Sequence, residues 1–247
     1  MRSFRILLKN EWKLNVRNMN MVIFAIIMPL IVLLILGMIY GTKPATDRAE
    51  YTFMEQSFAA LCTISICAGG LMGLPLVVSE YRERKILKRF HVTPVSPVKL
   101  LAVEFTIYVI YCILSMLTLI PTAMLFWNVS AKGSWLAFLA SWLLTMISTL
   151  SIGMMVGGIA KNAKSASVIA SALYFPMLIF SGTTLPLEVM PETMQKIVSV
   201  FPMTQGIGLM KAMFLGLPID NLWLPIVVMS AVTVICVGAA IKFFKWE

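Results

Sequence analysis

The chain has 247 residues, of which 60% are hydrophobic and only 13% charged, and its formal net charge is +9. Soluble domains carry about 25% charged residues, so this composition excludes an ordinary soluble protein and predicts an integral membrane protein. Six charge-free segments each reach the ~20 residues that a helix needs to cross the ~30 Å hydrocarbon layer. We therefore predict an all-α membrane protein with spans at about 21–40, 57–78, 103–126, 135–159, 166–184 and 222–242.

The N-terminal segment predicts a helix that lies in the membrane interface. Phe4, Leu7, Leu8 and Trp12 recur close to helical spacing, with Arg and Lys residues between them. Such a helix turns an apolar face to the lipid and a basic face to water. The alternative is a basic anchor that only sets the orientation of the first span.

Basic residues are distributed unevenly among the segments that connect the spans. Most of the 20 Lys and Arg residues lie in the N-terminal segment, the second and fourth loops and the C-terminal segment. Because Lys and Arg accumulate on the cytoplasmic side of membrane proteins, both termini are predicted to be cytoplasmic. Topology and anionic lipid account for the positive charge, so we expect the lipid bilayer, and no nucleic acid, as its partner.

The loop after the second span concentrates charge, since residues 80–89 read EYRERKILKR. Its pattern predicts a helix over 80–91, in which Glu80 is placed to pair with Arg84 four residues later. Long structured loops are more often functional than idle, which favours a functional surface. A solvated basic face that only fixes the topology is the alternative.

Prolines divide this loop into two parts. Pro94 cannot continue the first helix, and Ser96 followed by Pro97 suits the N-cap and first turn of a second helix. That second helix leads into the third span. The loop is therefore predicted to fold as a helix, an elbow and a helix on the cytoplasmic side.

One face of the fourth span is small and weakly polar. Its members recur every four residues, and they are Ser141, Thr145, Thr149, Gly153 and Gly157. Small residues let helix backbones approach closely, which favours a face for packing between spans. A face that lines a substrate pathway is the alternative.

Two short helices are predicted between the last two spans, over 193–200 and 204–215. Pro191 suits the first turn of a helix, and Gly216 followed by Pro218 is a stop signal. Neither helix is long enough to cross the bilayer. Both are therefore expected to lie on the outer face of the membrane or to dip into it.

The sequence lacks the residues of a catalytic or metal site. Its one histidine, His91, lies in the charged loop, and its four cysteines lie in apolar spans, where they are expected to be buried. We predict no catalytic residue and no bound metal. No GxxxxGK[ST] motif occurs, so ATP binding of that kind is not expected in this chain, and energy must come from a partner or an ion gradient.

An ion-gradient-driven carrier is the alternative to an ATP-driven transporter. Such carriers usually place acidic residues inside the membrane. Only Glu104 comes close, at the start of the third span, and an interfacial, solvated position is expected for it.

Two stretches of the chain resemble the permeases of ABC type-2 exporters. The first is the charged loop, with Glu80-Tyr81-Arg82-Glu83-Arg84, Leu87 and Val92-Thr93-Pro94-Val95-Ser96. The second follows the fifth span, with Phe180-Ser181-Gly182, Pro186-Leu187-Glu188, Met190-Pro191, Phe201-Pro202-Met203-Thr204 and residues 209–216. The N-terminal helix and Pro29-Leu30 in the first span are also similar, so the resemblance extends from end to end.

The resemblance implies one transmembrane domain over residues 1–247, acting as the permease subunit of an exporter in the bacterial inner (cytoplasmic) membrane. It also implies that a separate ABC ATPase subunit holds ATP and Mg²⁺ and that this chain binds no cofactor. A second permease copy, or a paralogue, is implied as a further partner.

Site residues follow from the same resemblance. Coupling to the ATPase is assigned to Glu80, Arg82, Glu83, Arg84, Lys85, Thr93 and Pro94. An outer gate is assigned to Pro186, Glu188 and Pro202. Because the spans hold almost no charge, we expect an amphipathic or hydrophobic cargo, such as a drug, an antibiotic, a lipid or a peptide.

Overall fold

A computed structural model describes residues 2–17, 19–45, 50–86, 97–181, 191–218 and 221–243. These residues form an all-α bundle in which six helices are long and apolar enough to cross a membrane, as predicted. In chain order we number the helices α1 (Arg2–Arg17), α2 (Met19–Tyr40), α3 (Phe53–Glu83), α4 (Pro97–Trp127), α5 (Trp135–Ile159), α6 (Ala163–Phe180), α7 (Glu192–Val198), α8 (Pro202–Leu215) and α9 (Trp223–Phe243). The six long helices are α2 to α6 and α9.

Helix α3 is the centre of the bundle. In its most apolar stretch, 83% of the residues are buried, whereas the corresponding share is 22% in α2, 17% in α6 and 22% in α9. Helix α5 is the second most buried span and packs along α3. The outer helices therefore expose apolar side chains, which suits the hydrocarbon of a bilayer.

Two of the spans pass through a proline by way of a π-helical turn. The turn at Ile23–Ile27 precedes Pro29, and the turn at Ala68–Gly73 precedes Pro75. Proline donates no backbone hydrogen bond, and its ring collides with the carbonyl group four residues earlier. The wider turn accommodates that ring, so both helices continue.

Helix α3 begins earlier than predicted because Glu55 caps it. The Thr52 N–H donates to Glu55 Oε2 over 2.9 Å, and the Glu55 N–H donates to Thr52 Oγ1 over 3.2 Å. This reciprocal pair satisfies two backbone donors at a helix start. The carboxylate is buried and also faces Ser130 of the α4–α5 loop.

The N-terminal helix packs against the protein through its apolar side. The predicted side chains Phe4, Leu7, Leu8 and Trp12 lie against α4 and α2. In α4 they meet Val103, Ile107 and Tyr111. The rings of Trp12 and Tyr111 have centroids 5.2 Å apart. The helix is thus confirmed, but its apolar face packs on α4 and α2, and not on lipid as expected.

The two short helices after α6 are confirmed, with a bend of 100° between them. Pro202 is the first residue of α8, and Gly216 ends that helix in the left-handed conformation at φ 69°. The start of α8 reaches into the bundle, where Met203 lies near Thr149 of α5. The end of α8 meets the α4–α5 loop, since the Gly133 N–H donates to the Phe214 carbonyl oxygen over 2.9 Å.

These contacts define two ends of the bundle. We call the end that carries α1, the last turn of α3 and the α5–α6 junction the terminal end. The end that carries the α4–α5 loop and the last turn of α8 is the opposite end.

Candidate functional site

Residues 80–83, the last turn of α3, join four other helices at the terminal end. Tyr81 contacts α1 and α4, Arg82 contacts the end of α5, and Glu83 contacts the start of α6. We call residues 80–83 the α3 terminus. It contains three of the predicted coupling residues, Glu80, Arg82 and Glu83.

The Tyr81 hydroxyl group lies between two carboxyl groups. Its oxygen is 2.8 Å from Glu11 Oε2 of α1 and 3.1 Å from Glu104 Oε1 of α4. Asn15, one turn after Glu11 on α1, is also buried. One side chain of α3 therefore ties the N-terminal helix to the third span.

Arg82 caps the end of α5. Its Nη1 donates to the carbonyl oxygens of Gly158, over 2.5 Å, and of Ala160, over 2.9 Å. The last carbonyl groups of a helix have no partner within the helix and carry partial negative charge. The guanidinium group of Arg82 donates hydrogen bonds to these carbonyl groups, and its positive charge is favourable at this end of the helix.

Glu83 caps the start of α6 in the complementary way. Its Oε2 accepts the Ala163 N–H over 2.9 Å, and an anion is favoured at a helix start. Asn162 and Ser165 complete this cap through their side chains. Arg82 and Glu83 together hold both sides of the α5–α6 junction on the α3 terminus.

The helix predicted over 80–91 is broken at Arg84 and Lys85. Helix α3 ends at Glu83, and Lys85 adopts the left-handed conformation with φ 54°. A residue in this conformation commonly ends a helix. The predicted pair of Glu80 and Arg84 is confirmed at 2.8 Å. His91, Thr93 and Pro94 lie outside the described residues.

Three of the coupling residues are exposed: Glu83, Arg84 and Lys85. The Arg84 side chain is 69% accessible. The five predicted members of the coupling set up to Lys85 thus have different surroundings. Arg82 and Glu83 bond to the ends of neighbouring helices, while Arg84 and Lys85 offer charge at the surface of the terminal end.

Glu104 is buried, with 0% of its surface accessible, so the solvated position expected for it is wrong. Helix α1 and the α3 terminus cover it, and its Oε1 lies 3.1 Å from the Tyr81 hydroxyl oxygen. Neither Tyr81 nor Glu11 was identified as a contact by sequence reasoning. One signal was present, since Glu11 is the only acidic residue in α1.

The small face of α5 lies in the interior of the bundle. All five of its members are buried: Ser141, Thr145, Thr149, Gly153 and Gly157. A Cβ atom on Gly153 would lie 1.8 Å from the Gly70 carbonyl oxygen of α3, and one on Gly157 would lie 2.8 Å from Val78 Cβ. These distances support the packing interpretation for the half of the face nearer the terminal end.

The other half of this face meets α8. Thr145 packs against Gly206, and Thr149 lies near Met203. Of the predicted outer-gate residues, Pro202 is buried at the start of α8, and Pro186 and Glu188 lie outside the described residues. We call the contact of Gly153 and Gly157 with α3 the α3 seam, and α8 packs on the same face of α5.

Comparison with known proteins gives one family match and several relatives. The family model described as "ABC-2 type transporter" matches residues 2–215. "Inner membrane transport permease YhhJ" of Escherichia coli is 25% identical over 167 residues, which is 67% of this chain and 44% of that protein.

Two further relatives match over shorter stretches. "Probable multidrug ABC transporter permease YbhS" of Escherichia coli is 24% identical over 155 residues, 62% of this chain and 41% of that protein. "Nodulation protein J" of Rhizobium leguminosarum is 31% identical over 104 residues, 41% of this chain and 40% of that protein. Each match thus spans less than half of the relative's length.

Proposed function

Because this chain belongs to the ABC-2 type transporter family, we propose that it is the permease subunit of an ATP-driven exporter. A separate ABC ATPase subunit binds ATP and Mg²⁺ and hydrolyses the nucleotide. The chain lies in the bacterial inner membrane with both termini in the cytoplasm, as the distribution of Lys and Arg indicates. The terminal end of the bundle is then the cytoplasmic end.

The α3 terminus is the observation that carries this proposal. Hydrogen bonds join residues 80–83 to α1, α4, α5 and α6. The rest of the charged loop follows directly after them. A displacement of that loop by a partner therefore acts on four helices at once. Since nucleotide-driven transport requires such transmission across the bundle, the geometry supports a coupling role for the terminal end.

The exposed charges next to the α3 terminus are the proposed contact with the ATPase. Arg84 and Lys85 are exposed, and Glu80 neutralises part of the Arg84 charge. A rim of exposed charges suits a polar, partly hydrated interface. Arg82 and Glu83 contribute by holding the α5–α6 junction in place.

A second permease copy or a paralogue is the further partner we propose. Helices α2 and α6 are the least buried spans together with α9, and they expose large apolar side chains such as Phe24 and Phe175. Lipid or another transmembrane helix can cover these surfaces.

The cargo we propose is amphipathic or hydrophobic. Within the described parts of the spans, Glu55 and Glu104 are the buried carboxylates, and both lie near the ends of the bundle. The middle of the bundle thus offers nothing to neutralise a strongly charged solute. One relative carries "multidrug" in its name, which agrees with a cargo of this class.

A pull-down from bacterial inner membranes, followed by an ATPase assay, tests the proposal. We expect an ABC-type ATPase to be recovered with the wild-type chain and to be lost or uncoupled in the double variant Arg84→Glu/Lys85→Glu. Lys43→Glu is the matched control, because it reverses an exposed charge at the opposite end. Equal recovery and equal ATPase activity in all three proteins would contradict a role for these charges.

An ion-gradient-driven carrier is the second candidate, and buried Glu104 is the observation that favours it. Intramembrane carboxylates commonly bind protons or cations in such carriers. A chain that purifies without an ATPase, and whose transport in vesicles follows an imposed ion gradient, would establish this candidate instead.

A further inference from the structure

The contacts of Tyr81 with Glu11 and Glu104 require a shared proton. A phenol group carries one hydrogen and can donate it to one acceptor. Two carboxyl oxygens nevertheless lie within hydrogen-bond distance of Tyr81 Oη, at 2.8 and 3.1 Å. An ionised carboxylate only accepts. The second contact is therefore a hydrogen bond only if one of the carboxyl groups is protonated and donates to the Tyr81 oxygen.

Burial indicates that Glu104 holds this proton. Its side chain is inaccessible to solvent, and its Oε2 has no hydrogen-bond partner among the described residues. An unpaired buried carboxylate is strongly disfavoured, so such a group takes up a proton instead. Glu11 is partly exposed and is better placed to carry the negative charge.

The other side chains around Glu104 supply no positive charge. Helix α1 contributes Glu11 and Asn15, whose neutral amide interacts with Glu104 without balancing its charge, and α3 contributes Tyr81. Helix α4 itself contributes Tyr108 and Tyr111, whose hydroxyl groups are buried without partners among the described residues.

The remaining neighbours offer neither a cation nor a metal site. Arg82 points away, towards α5, and α2 packs here through apolar residues such as Ala25. Within the described ranges, no three His, Cys, Asp or Glu side chains are grouped to hold a metal ion. A proton is therefore the cation that this arrangement fits.

We propose that Glu11, Tyr81 and Glu104 bind one proton between two carboxyl groups, and that this proton fastens α1 to α3 and α4. Glu104 donates to Tyr81, and Tyr81 donates to Glu11, so one directed chain of hydrogen bonds joins the three helices. This inference goes beyond the proposed function and does not depend on what drives transport.

The direction of the pH dependence follows from proton counting. The docked state of α1 holds a proton that the undocked state, in which water solvates both carboxylates, releases. Raising the pH therefore favours undocking, and lowering it favours docking. One linked proton changes the docking equilibrium by up to about tenfold per pH unit. In the undocked state the apolar side chains of Trp12 and its neighbours meet lipid and keep α1 near the membrane surface.

Two measurements on the full chain in lipid nanodiscs test the proposal. Infrared spectroscopy detects the carbonyl stretch of a protonated carboxyl group, which carboxylates lack, and we expect this band to disappear in Glu104→Gln. Hydrogen exchange over residues 2–17, corrected for the intrinsic effect of pH, reports docking. We expect wild-type protection to fall with rising pH, by up to about tenfold per unit.

Variants separate the shared proton from simple packing. Glu104→Gln removes the carboxyl group that holds the proton, so α1 should be protected equally at low and high pH. Glu11→Gln keeps that group but removes the negative charge beside it, which favours a bound proton, so protection of α1 should fall at a lower pH than in the wild type. Glu55→Gln is the matched control, because Glu55 is also buried but faces the Thr52 and Ser130 donors at the opposite end. It should retain the wild-type pH dependence.

The result that overturns the proposal is equally definite. If the carboxyl band persists in Glu104→Gln, or if that variant keeps the wild-type pH dependence, Glu104 does not hold the proton. If Glu11→Gln follows the wild type at every pH, Glu11 does not share it. Should Glu104→Gln fail to fold, Glu11→Gln still tests whether the proton is shared, because Glu11 lies on the partly exposed helix α1.

Discussion

The guanidinium group of Arg82 donates to the carbonyl oxygen of Ala160 over 2.9 Å, although the two residues are 78 positions apart in the chain. This bond holds the end of α5 on the end of α3. It also changes how the charged loop is interpreted, since one of its basic residues serves as a helix cap inside the protein. Charge reversal across the whole loop would therefore mix a structural effect with any effect on a partner.

The first prediction separates Arg82 from Arg84. Hydrogen bonds to charged groups contribute about 1.5–3 kcal/mol, and Arg82 makes two to the end of α5. Because Arg82 is partly accessible, we expect the lower part of that range for the loss of stability in Arg82→Gln. Arg84→Gln should change stability by less than about 1 kcal/mol, since Arg84 forms an exposed ion pair with Glu80.

Unfolding of the two purified variants in detergent measures this difference. Equal stability of Arg82→Gln and Arg84→Gln would mean that the cap on α5 does not contribute. A larger loss in Arg84→Gln would contradict the assignment of Arg82 as the structural residue.

The second prediction concerns the contact between α3 and α5 at Gly153. A Cβ atom at this position would lie 1.8 Å from the Gly70 carbonyl oxygen, so Gly153→Ala forces the two backbones apart. Overpacking of this kind costs about 1–3 kcal/mol. Gly238→Ala in α9 is the matched control, because a Cβ atom there meets nothing within 4 Å.

The melting temperatures of these two variants give the result. We expect Gly153→Ala to melt below the wild type and Gly238→Ala to melt at or above it, because alanine is the better helix former. If Gly153→Ala melts at the same temperature as the wild type, the contact between α3 and α5 is looser than these distances indicate. Unchanged stability with altered substrate range would favour the substrate-lining alternative.

Sequence reasoning located the helices well because hydropathy and capping are local. The span at 135–159 and the start of α4 at Pro97 depend on apolar length and on proline in a first turn. The start of α3 was missed, although Thr52 and Glu55 carry a capping box that is readable from their spacing. The break at Lys85 was also missed, because a left-handed lysine leaves no clear signal in the sequence.

The contacts of the α3 terminus could not be predicted, because their partners come from distant parts of the chain. Tyr81 and Glu11 are 70 positions apart, and nothing in either segment indicates the other. Glu104 was expected at a solvated boundary because hydropathy treats each span alone. Its burial depends on the tertiary contact of α1 with α4, which the hydropathy of a single span does not report.

The third prediction tests the left-handed conformation of Lys85. This conformation costs about 1–2 kcal/mol for residues other than glycine, so Lys85→Gly should stabilise the end of α3 or leave it unchanged. Lys85→Val should destabilise it, since a β-branched side chain is poorly tolerated at φ 54°. Thermal unfolding in detergent distinguishes the two variants, and a more stable Val variant would contradict the helix break.

The fourth prediction concerns the seat of α8 on α5 and uses two glycines that are two residues apart. A Cβ atom on Gly206 would lie 2.4 Å from Thr145 Oγ1, whereas one on Gly208 would meet nothing within 4 Å. Gly206→Ala should therefore push α8 away from α5, and Gly208→Ala should leave the contact intact. Hydrogen exchange over residues 202–215 measures the effect.

We expect lower protection of α8 in Gly206→Ala than in Gly208→Ala, with the α3 seam unaffected in both. If α8 contributes to an outer gate, Gly206→Ala should also raise the ATPase activity of the assembled transporter in the absence of cargo, because the closed arrangement is weakened. Equal protection of α8 in the two variants would show that Thr145 yields to the added methyl group. The close approach of Gly206 to Thr145 would then not be needed to seat the helix.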